Sequence, residues 1–353
     1  MAVAPLSGRS ALAPAATRDR ERVLKGDGLS VTHAEVFAFA VLAVVAGATI
    51  LWLGRSRTFT ADEFDLLGRR LVLIDFLRPH NEHLTALPVL AYQTLMAVFG
   101  TGTYVPYLTL LAVLHIVAAA GVALLVRGRL GLMAASVVLF LGSGAENLFW
   151  AFQIGFVGSV AAGLWAMRVE RSWLSAVLLG VSLGCSGIGL VFVLPVAVVR
   201  GRGAAWLAAP LALYGLWFTG FGTRLDHSGT LAQTAEWFVL GIGWAFGSLF
   251  GVGLAIGLGL VVAVGGLALI HRPDRLTAAA LIGVVAEYGL IAVSRAGMQE
   301  VSFVAASRYV YVAAPFLLIT MAGLIHDRRL LATLYVLVLV LNIAALPAGS
   351  AVP

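Results

Sequence analysis

The chain has 353 residues, of which 61% are hydrophobic and only 11% charged, against roughly one-quarter charged in soluble domains. That composition excludes a soluble globular enzyme and points to a single multi-pass membrane domain. The net charge of +6 is no sign of nucleic-acid binding, because cations in a membrane protein chiefly set its orientation. One cysteine, Cys185, excludes an internal disulfide framework.

Residues 1–33 mix Ala, Pro and Gly with Arg18, Arg20, Arg22 and Lys25, and read as a disordered cytoplasmic tail. Residues 34–353 form the integral-membrane domain. Ala34–Leu53 is long enough to cross a hydrocarbon layer ~30 Å thick. Basic turns then recur at Arg127/Arg129, Arg168/Arg171, Arg200/Arg202, Arg272/Arg275 and Arg328/Arg329, and each is expected on the cytoplasmic side. Crossings must therefore come in pairs between them. After Tyr104–Val126 these are Gly131–Leu141 with Phe152–Met167, Trp173–Gly184 with Ile188–Val199, and Ala204–Thr219 with Val252–Ile270. Leu276–Val293, Tyr309–Ile325 and Leu330–Leu346 complete the set. The expectation is an all-α polytopic bundle of about eleven transmembrane helices in the plasma (inner) membrane, N-terminus cytoplasmic. Leu84–Phe99 and Trp237–Phe250 are left over, and are expected to lie along the outer surface.

The outer loop, residues 54–103, concentrates the chemistry. Helical spacing from Asp62 onward puts Asp62, Asp65 and Arg69 on one face and Phe64, Leu67, Leu71 and Ile74 on the other, which predicts a helix lying along the membrane. Thr60 is placed to cap it, with Asp62 and Glu63 in its first turn. Arg78-Pro79 should end it, leaving His80, Asn81, Glu82 and His83 on a polar turn. Pro88 then opens a second horizontal helix that Gly100 closes. Three readings of the turn stand side by side: a solvated loop, part of a substrate site with Asp65, or a divalent-cation site. For Mg or Mn the candidate ligands are Asp62, Glu63, His80, Glu82 and His83.

Later outer turns add Glu146, Asn147, Trp150 and Gln153, and then Arg295, Gln299, Glu300, Arg308 and Tyr309. Arg308 beside Tyr309, at the outer end of a crossing, suits either a bidentate grip on a lipid phosphate or an interfacial belt. Glu287, inside a crossing, should face protein as a helix–helix hydrogen-bonding partner. Trp237, Trp244, Phe246 and Phe250 read as interfacial anchors, or as a wall for a lipid chain. Gly251, Gly253, Gly257 and Gly259 read as helix-packing positions. Phosphate-binding loops, dinucleotide glycine patterns and nucleophile elbows are absent from the sequence.

Together these features resemble the C-type (GT-C) superfamily of integral-membrane glycosyltransferases. The resemblance rests on Asp62-Glu63 soon after the first crossing, on the horizontal helices, on paired short crossings such as "SAVLLGVSLGCSGIGLVFVLPVAVVRGR", and on the segment from "NEHLTALPVLAYQTLMAVFG" to Gly131, whose Phe-Gly, Tyr, Leu-His and Arg spacing is similar. It implies transfer of a sugar from a polyprenyl-phosphate donor to a cell-envelope glycan or lipid acceptor, with inversion, outside the cytoplasmic leaflet. It also implies that Asp62 or Glu63 is the acid nearest the acceptor hydroxyl and that Arg308 or Arg295 holds the donor phosphate. The acidic pair here is Asp-Glu where those families more often carry two aspartates. Membrane lipids are the surrounding partners, and nucleic acid is not one. A lipid or solute transporter or flippase, and a noncatalytic membrane scaffold, remain alternative expectations.

Overall fold

The computed structural model describes residues 32–222 and 229–350; most of the expected tail lies outside them. Among the described residues every regular element is helical. The helices are α1 (His33–Leu53), α2 (Ala61–Gly68), α3 (Leu73–Leu77), α4 (Ala86–Phe99), α5 (Val105–Val126), α6 (Gly128–Leu139), α7 (Glu146–Phe149) and α8 (Ile154–Arg168). They continue as α9 (Ser172–Cys185), α10 (Val193–Arg200), α11 (Ala208–Phe221), α12 (Leu231–Leu249), α13 (Leu254–His271), α14 (Arg275–Arg295), α15 (Ser307–Leu324) and α16 (Arg328–Ser350).

Seven stretches are long and apolar enough to cross a membrane by length and composition: α1, α5, the run Gly187–Phe221, α13, α14, α15 and α16. The helices α4, α6 and α9 are apolar but shorter. The eleven expected crossings thus resolve into seven full-length stretches and several short helices packed among them.

α15 is the axis of the bundle, with Tyr311, Phe316 and Leu318 fully enclosed. α1 and α13, by contrast, turn Phe37, Val44, Val262 and Leu269 outward, as helices facing hydrocarbon do. Four of the five basic turns meet in neighbouring pairs. Arg200 donates to the carbonyls of Met167 and Glu170, a Cβ on Gly201 would sit 3.7 Å from Arg275 Nη1, and the rings of His271 and His326 lie 4.8 Å apart. The end of α16 returns to the start of the polar loop, where Arg57 Nη2 donates to the Ser350 carbonyl at 2.8 Å.

Two expectations are corrected. The single helix from Asp62 through Ile74 breaks into α2 and α3, because the side chain of Arg69, only 1% exposed, draws the following chain back onto itself. Its Nη1 donates to the carbonyls of Asp75 (3.2 Å) and Arg78 (2.6 Å), and its Nη2 to that of Pro79 (3.3 Å). The second correction is α12, which takes in Trp237–Leu249 with Phe250 as its C-cap but packs inside the bundle against α13, α14 and α15. Trp237 is buried, not interfacial. Glycine permits this: a Cβ on Gly257 would overlap the Gly243 carbonyl, so α12 and α13 cross nearly backbone to backbone there. Gly253 and Gly259 have open space where a Cβ would be, and carry no such contact.

Candidate functional site

The polar loop is built around Arg69 and Asp65. Asp65 Oδ2 accepts from Arg69 Nε at 3.0 Å and Nη2 at 2.6 Å, and Oδ1 accepts from Arg78 Nη2 at 2.8 Å. His80 Nδ1 lies 2.7 Å from the same Oδ2. Burial alone would raise the Asp65 pKa, but the hydrogen bonds from His80 and Arg69 and their positive charge hold it below the usual aspartate value. The carboxylate therefore stays ionised and fixes the His80 ring, whose Nε2 lies 3.9 Å from Asp62 Oδ1.

His80 to His83 form a two-residue turn, closed by His80 N–H to His83 carbonyl (3.0 Å) and His83 N–H to His80 carbonyl (2.9 Å). Its central residues, Asn81 (φ 44°) and Glu82 (φ 70°), are both left-handed, as in a type I′ turn. Asn tolerates that region, whereas Glu carries strain of about 1 kcal/mol or more. The strained residue presents its carboxylate to Arg295, Glu82 Oε2 to Nη1 at 3.4 Å. Gly187 makes room for the turn, since a Cβ there would overlap His83 Nδ1. Enclosure by protein, then the charges of Arg295 and His80, push the His83 pKa down to about 4, so its imidazole is neutral near pH 7.

Turns distant in sequence meet at one cavity of about 320 Å³. Asp62 and the His80–His83 turn border it together with Trp150, Phe152, Gln153 and Phe156. Cys185, Ser186 and Ile188 come from the end of α9, and Ser294, Arg295, Gln299, Arg308 and Tyr309 from the α14–α15 connection. Arg308 Nη1 pairs with Glu146 Oε2 at 2.9 Å, and its guanidinium carbon sits 5.1 Å from the centre of the Tyr309 ring. Glu146 N–H donates to Ser307 Oγ at 3.1 Å, fastening α7 to the start of α15. Of the sequence-derived candidates, Asp62, His80, Asn81, Glu82, His83, Arg295, Arg308 and Tyr309 border the cavity directly.

The other candidates stand behind that wall. Glu63 is fully buried and faces away: its Oε1 accepts from the hydroxyls of Tyr92 and Tyr104 at 2.7 Å each, and its Oε2 from Thr60 N–H at 2.9 Å. Thr60 caps α2, its N–H donating to the Glu63 carboxylate in the first turn. Burial and the Glu63 charge drive the Tyr104 pKa far upward, so the phenol remains a donor. Its oxygen in turn accepts from Ala151 N–H at 2.7 Å, which ties Glu63 to the turn bearing Trp150 and Gln153. Asp65 acts through His80, and Glu146 through Arg308. Asn147 is fully buried, and neither side-chain polar atom has a partner in the chain. Glu287 is likewise buried with both oxygens unpaired, so the expected helix–helix hydrogen bond is not formed.

Among the described residues no three His, Cys, Asp or Glu side chains come together as a metal-holding group. Asp65 occupies His80 Nδ1, Arg295 faces Glu82, and Glu63 is turned away. The cation set read from the sequence does not fit.

The remaining polar border residues are neutral: Trp150, Gln153 and Gln299, which the sequence places in the outer turns, and Thr85, Ser186 and Ser294, which it does not single out. Two of them, Trp150 and Gln153, stand in the polar turn that also supplies Glu146; the sequence places them in that outer turn without assigning them a substrate contact. No protein-family model, no curated protein and no solved structure matches this chain.

Proposed function

We propose that this chain is an integral-membrane glycosyltransferase. It moves a sugar from a polyprenyl-phosphate donor to a cell-envelope glycan or lipid acceptor, with inversion, on the extracytoplasmic side of the plasma membrane. The observation that carries the reading is the convergence of Asp62, His80 and Arg308 on one cavity. A base, an orienting imidazole and a guanidinium meet where a hydroxyl and a phosphate ester could be held together. GT-C resemblance supplies the reaction class.

In this mechanism the Asp62 carboxylate takes the proton of the acceptor hydroxyl as its oxygen attacks the anomeric carbon from the face opposite the phosphate. The bond from that carbon to the phosphate oxygen breaks, and its electron pair leaves with the polyprenyl phosphate. Charge develops on that oxygen, and the guanidinium groups of Arg308 and Arg295 are fixed to receive it. Glu146 and Glu82 hold the two arginines in place and balance them before substrate arrives. His80, pinned by Asp65, keeps an imidazole nitrogen beside Asp62. Glu63 serves as a structural anchor.

Release of polyprenyl phosphate from a labelled polyprenyl-phosphate sugar by protein in nanodiscs tests the reading. Asp62→Asn should lower turnover at least a hundredfold while the thermal transition stays in place; full turnover in that variant would remove Asp62 from the mechanism. A second reading, transport of a lipid or solute, is favoured by one observation, the unpaired Glu287 carboxyl in a candidate span. Uptake into liposomes that Glu287→Gln abolishes, with no sugar transfer, would select it.

A further inference from the structure

Among the described residues twelve buried side-chain polar atoms have no hydrogen-bond partner in the chain, and five of them fall between residues 143 and 153. Native proteins leave few such groups, so a cluster of them calls for an explanation; three of the five, on Ser143 and Asn147, lie off the cavity border. Two of the five, Trp150 Nε1 and Gln153 Oε1, belong to side chains that border the cavity, and a third border residue, Thr85, carries an unpaired Oγ1. Gln153 is 1% exposed and Thr85 7%, so neither can turn out to bulk solvent.

The chemistry of this set is specific. An indole N–H only donates, an amide carbonyl oxygen only accepts, and a hydroxyl does both; none carries charge. A phosphate or carboxylate only accepts and would leave the Gln153 oxygen unmatched. An ammonium only donates and would leave the indole unmatched. A ligand bearing several hydroxyls satisfies all three. Phe152 and Phe156 border the same cavity, and their apolar surface suits the C–H face of a saturated ring. The wall is also held in advance: Gln153 N–H donates to the Trp150 carbonyl at 3.0 Å, and Ala151 N–H to the Tyr104 hydroxyl at 2.7 Å. Little ordering remains to be done on binding.

We infer that Trp150, Gln153 and Thr85 form the subsite that reads the hydroxyls of a neutral sugar ring. This rests on the proposed transfer reaction and goes beyond it by separating the wall that selects the sugar from the guanidinium groups that take the phosphate. Substitutions on this wall should change which sugar is used without changing how the lipid phosphate is held.

Two measurements on the full-length protein in nanodiscs test this. Saturation-transfer NMR with a panel of methyl hexosides and pentosides reports ring binding without any lipid. Titration with a polyprenyl-phosphate sugar and with sugar-free polyprenyl phosphate compares the two lipids. Wild type should give a glycoside signal, and Trp150→Phe and Gln153→Leu should each lose it. Both variants should bind the sugar-bearing lipid about tenfold more weakly and the sugar-free lipid as wild type does. The subsite is overturned if wild type gives no glycoside signal, if both variants keep it, or if they weaken the two lipids equally. A variant-sensitive glycoside signal with no binding of either lipid would leave the subsite standing and instead remove the polyprenyl-phosphate donor.

Discussion

Replacing Arg69 with Lys keeps the charge and removes the fork, and its effect follows from the bonds the guanidinium makes. Arg69 donates five hydrogen bonds, two to Asp65 and one each to the carbonyls of Asp75, Arg78 and Pro79. A lysine ammonium has three donors, so at least two bonds are lost. At about 1.5 kcal/mol for each hydrogen bond to a charged group, the loop gives up about 3 kcal/mol. With the side chain only 1% exposed, solvent screening does little to soften that figure. The loss falls on the loop segment that carries the His80–His83 turn, and 3 kcal/mol corresponds to about a hundredfold in the equilibrium between closed and open loop. Hydrogen–deuterium exchange measures it directly, because the amides of His80 and His83 are protected by their mutual bonds and exchange through local opening. In Arg69→Lys these amides should exchange about a hundredfold faster, while amides in the middle of α15 keep wild-type protection. Unchanged protection at residues 80–83 would show that the turn closes without Arg69, and the account of the broken helix would fail.

Two further predictions concern the turn and the bundle. His83 has a pKa of about 4 in the folded protein against an ordinary 6.5, so in that window the unfolded chain binds the extra proton. Its stabilising contribution is complete above pH 6.5 and lost as pH falls toward 4. Thermal transitions followed from pH 7 to pH 4 should decline through this window in wild type and less in His83→Asn; equal decline would refute the assignment. At the α12–α13 crossing, Gly257→Leu places a side chain where the Gly243 carbonyl now sits. It should destabilise the protein by about 2 kcal/mol or more, whereas Gly259→Leu, with open space around it, should not; equal thermal shifts would contradict the packing.

The membrane character and the grouping of the turns were legible in the sequence because both are written in composition. Arginine spacing sorted the connections into two sets, and every turn that borders the cavity came from the set assigned to the outer side. The turn at His80–His83 and the helix boundaries at Arg78-Pro79 and Gly100 were equally readable, since proline and glycine act locally. What the sequence left open depended on long-range contacts. Asp62 and Glu63 look equivalent in one dimension, yet neighbouring helix positions point about 100° apart; one borders the cavity and the other is buried against Tyr92 and Tyr104. The break after Gly68 came from a buried guanidinium reaching carbonyls six to ten residues ahead, which no helical wheel registers. Trp237 read as an interfacial anchor because aromatic enrichment does not distinguish a membrane surface from a helix crossing made close by Gly243 and Gly257. Trp150 and Gln153 were legible as polar members of an outer turn, but their place on the cavity wall depends on contacts with turns distant in sequence.

The most direct test of a shared substrate cavity is photo-crosslinking with a polyprenyl-phosphate sugar carrying a diazirine on the sugar ring, followed by peptide mapping. Labelled peptides should come from residues 76–88, 147–156 and 290–309, and excess sugar-free polyprenyl phosphate should suppress them. Labelling confined to outward-facing helices such as α1 and α13, untouched by competitor, would contradict the claim that these separate turns hold one substrate.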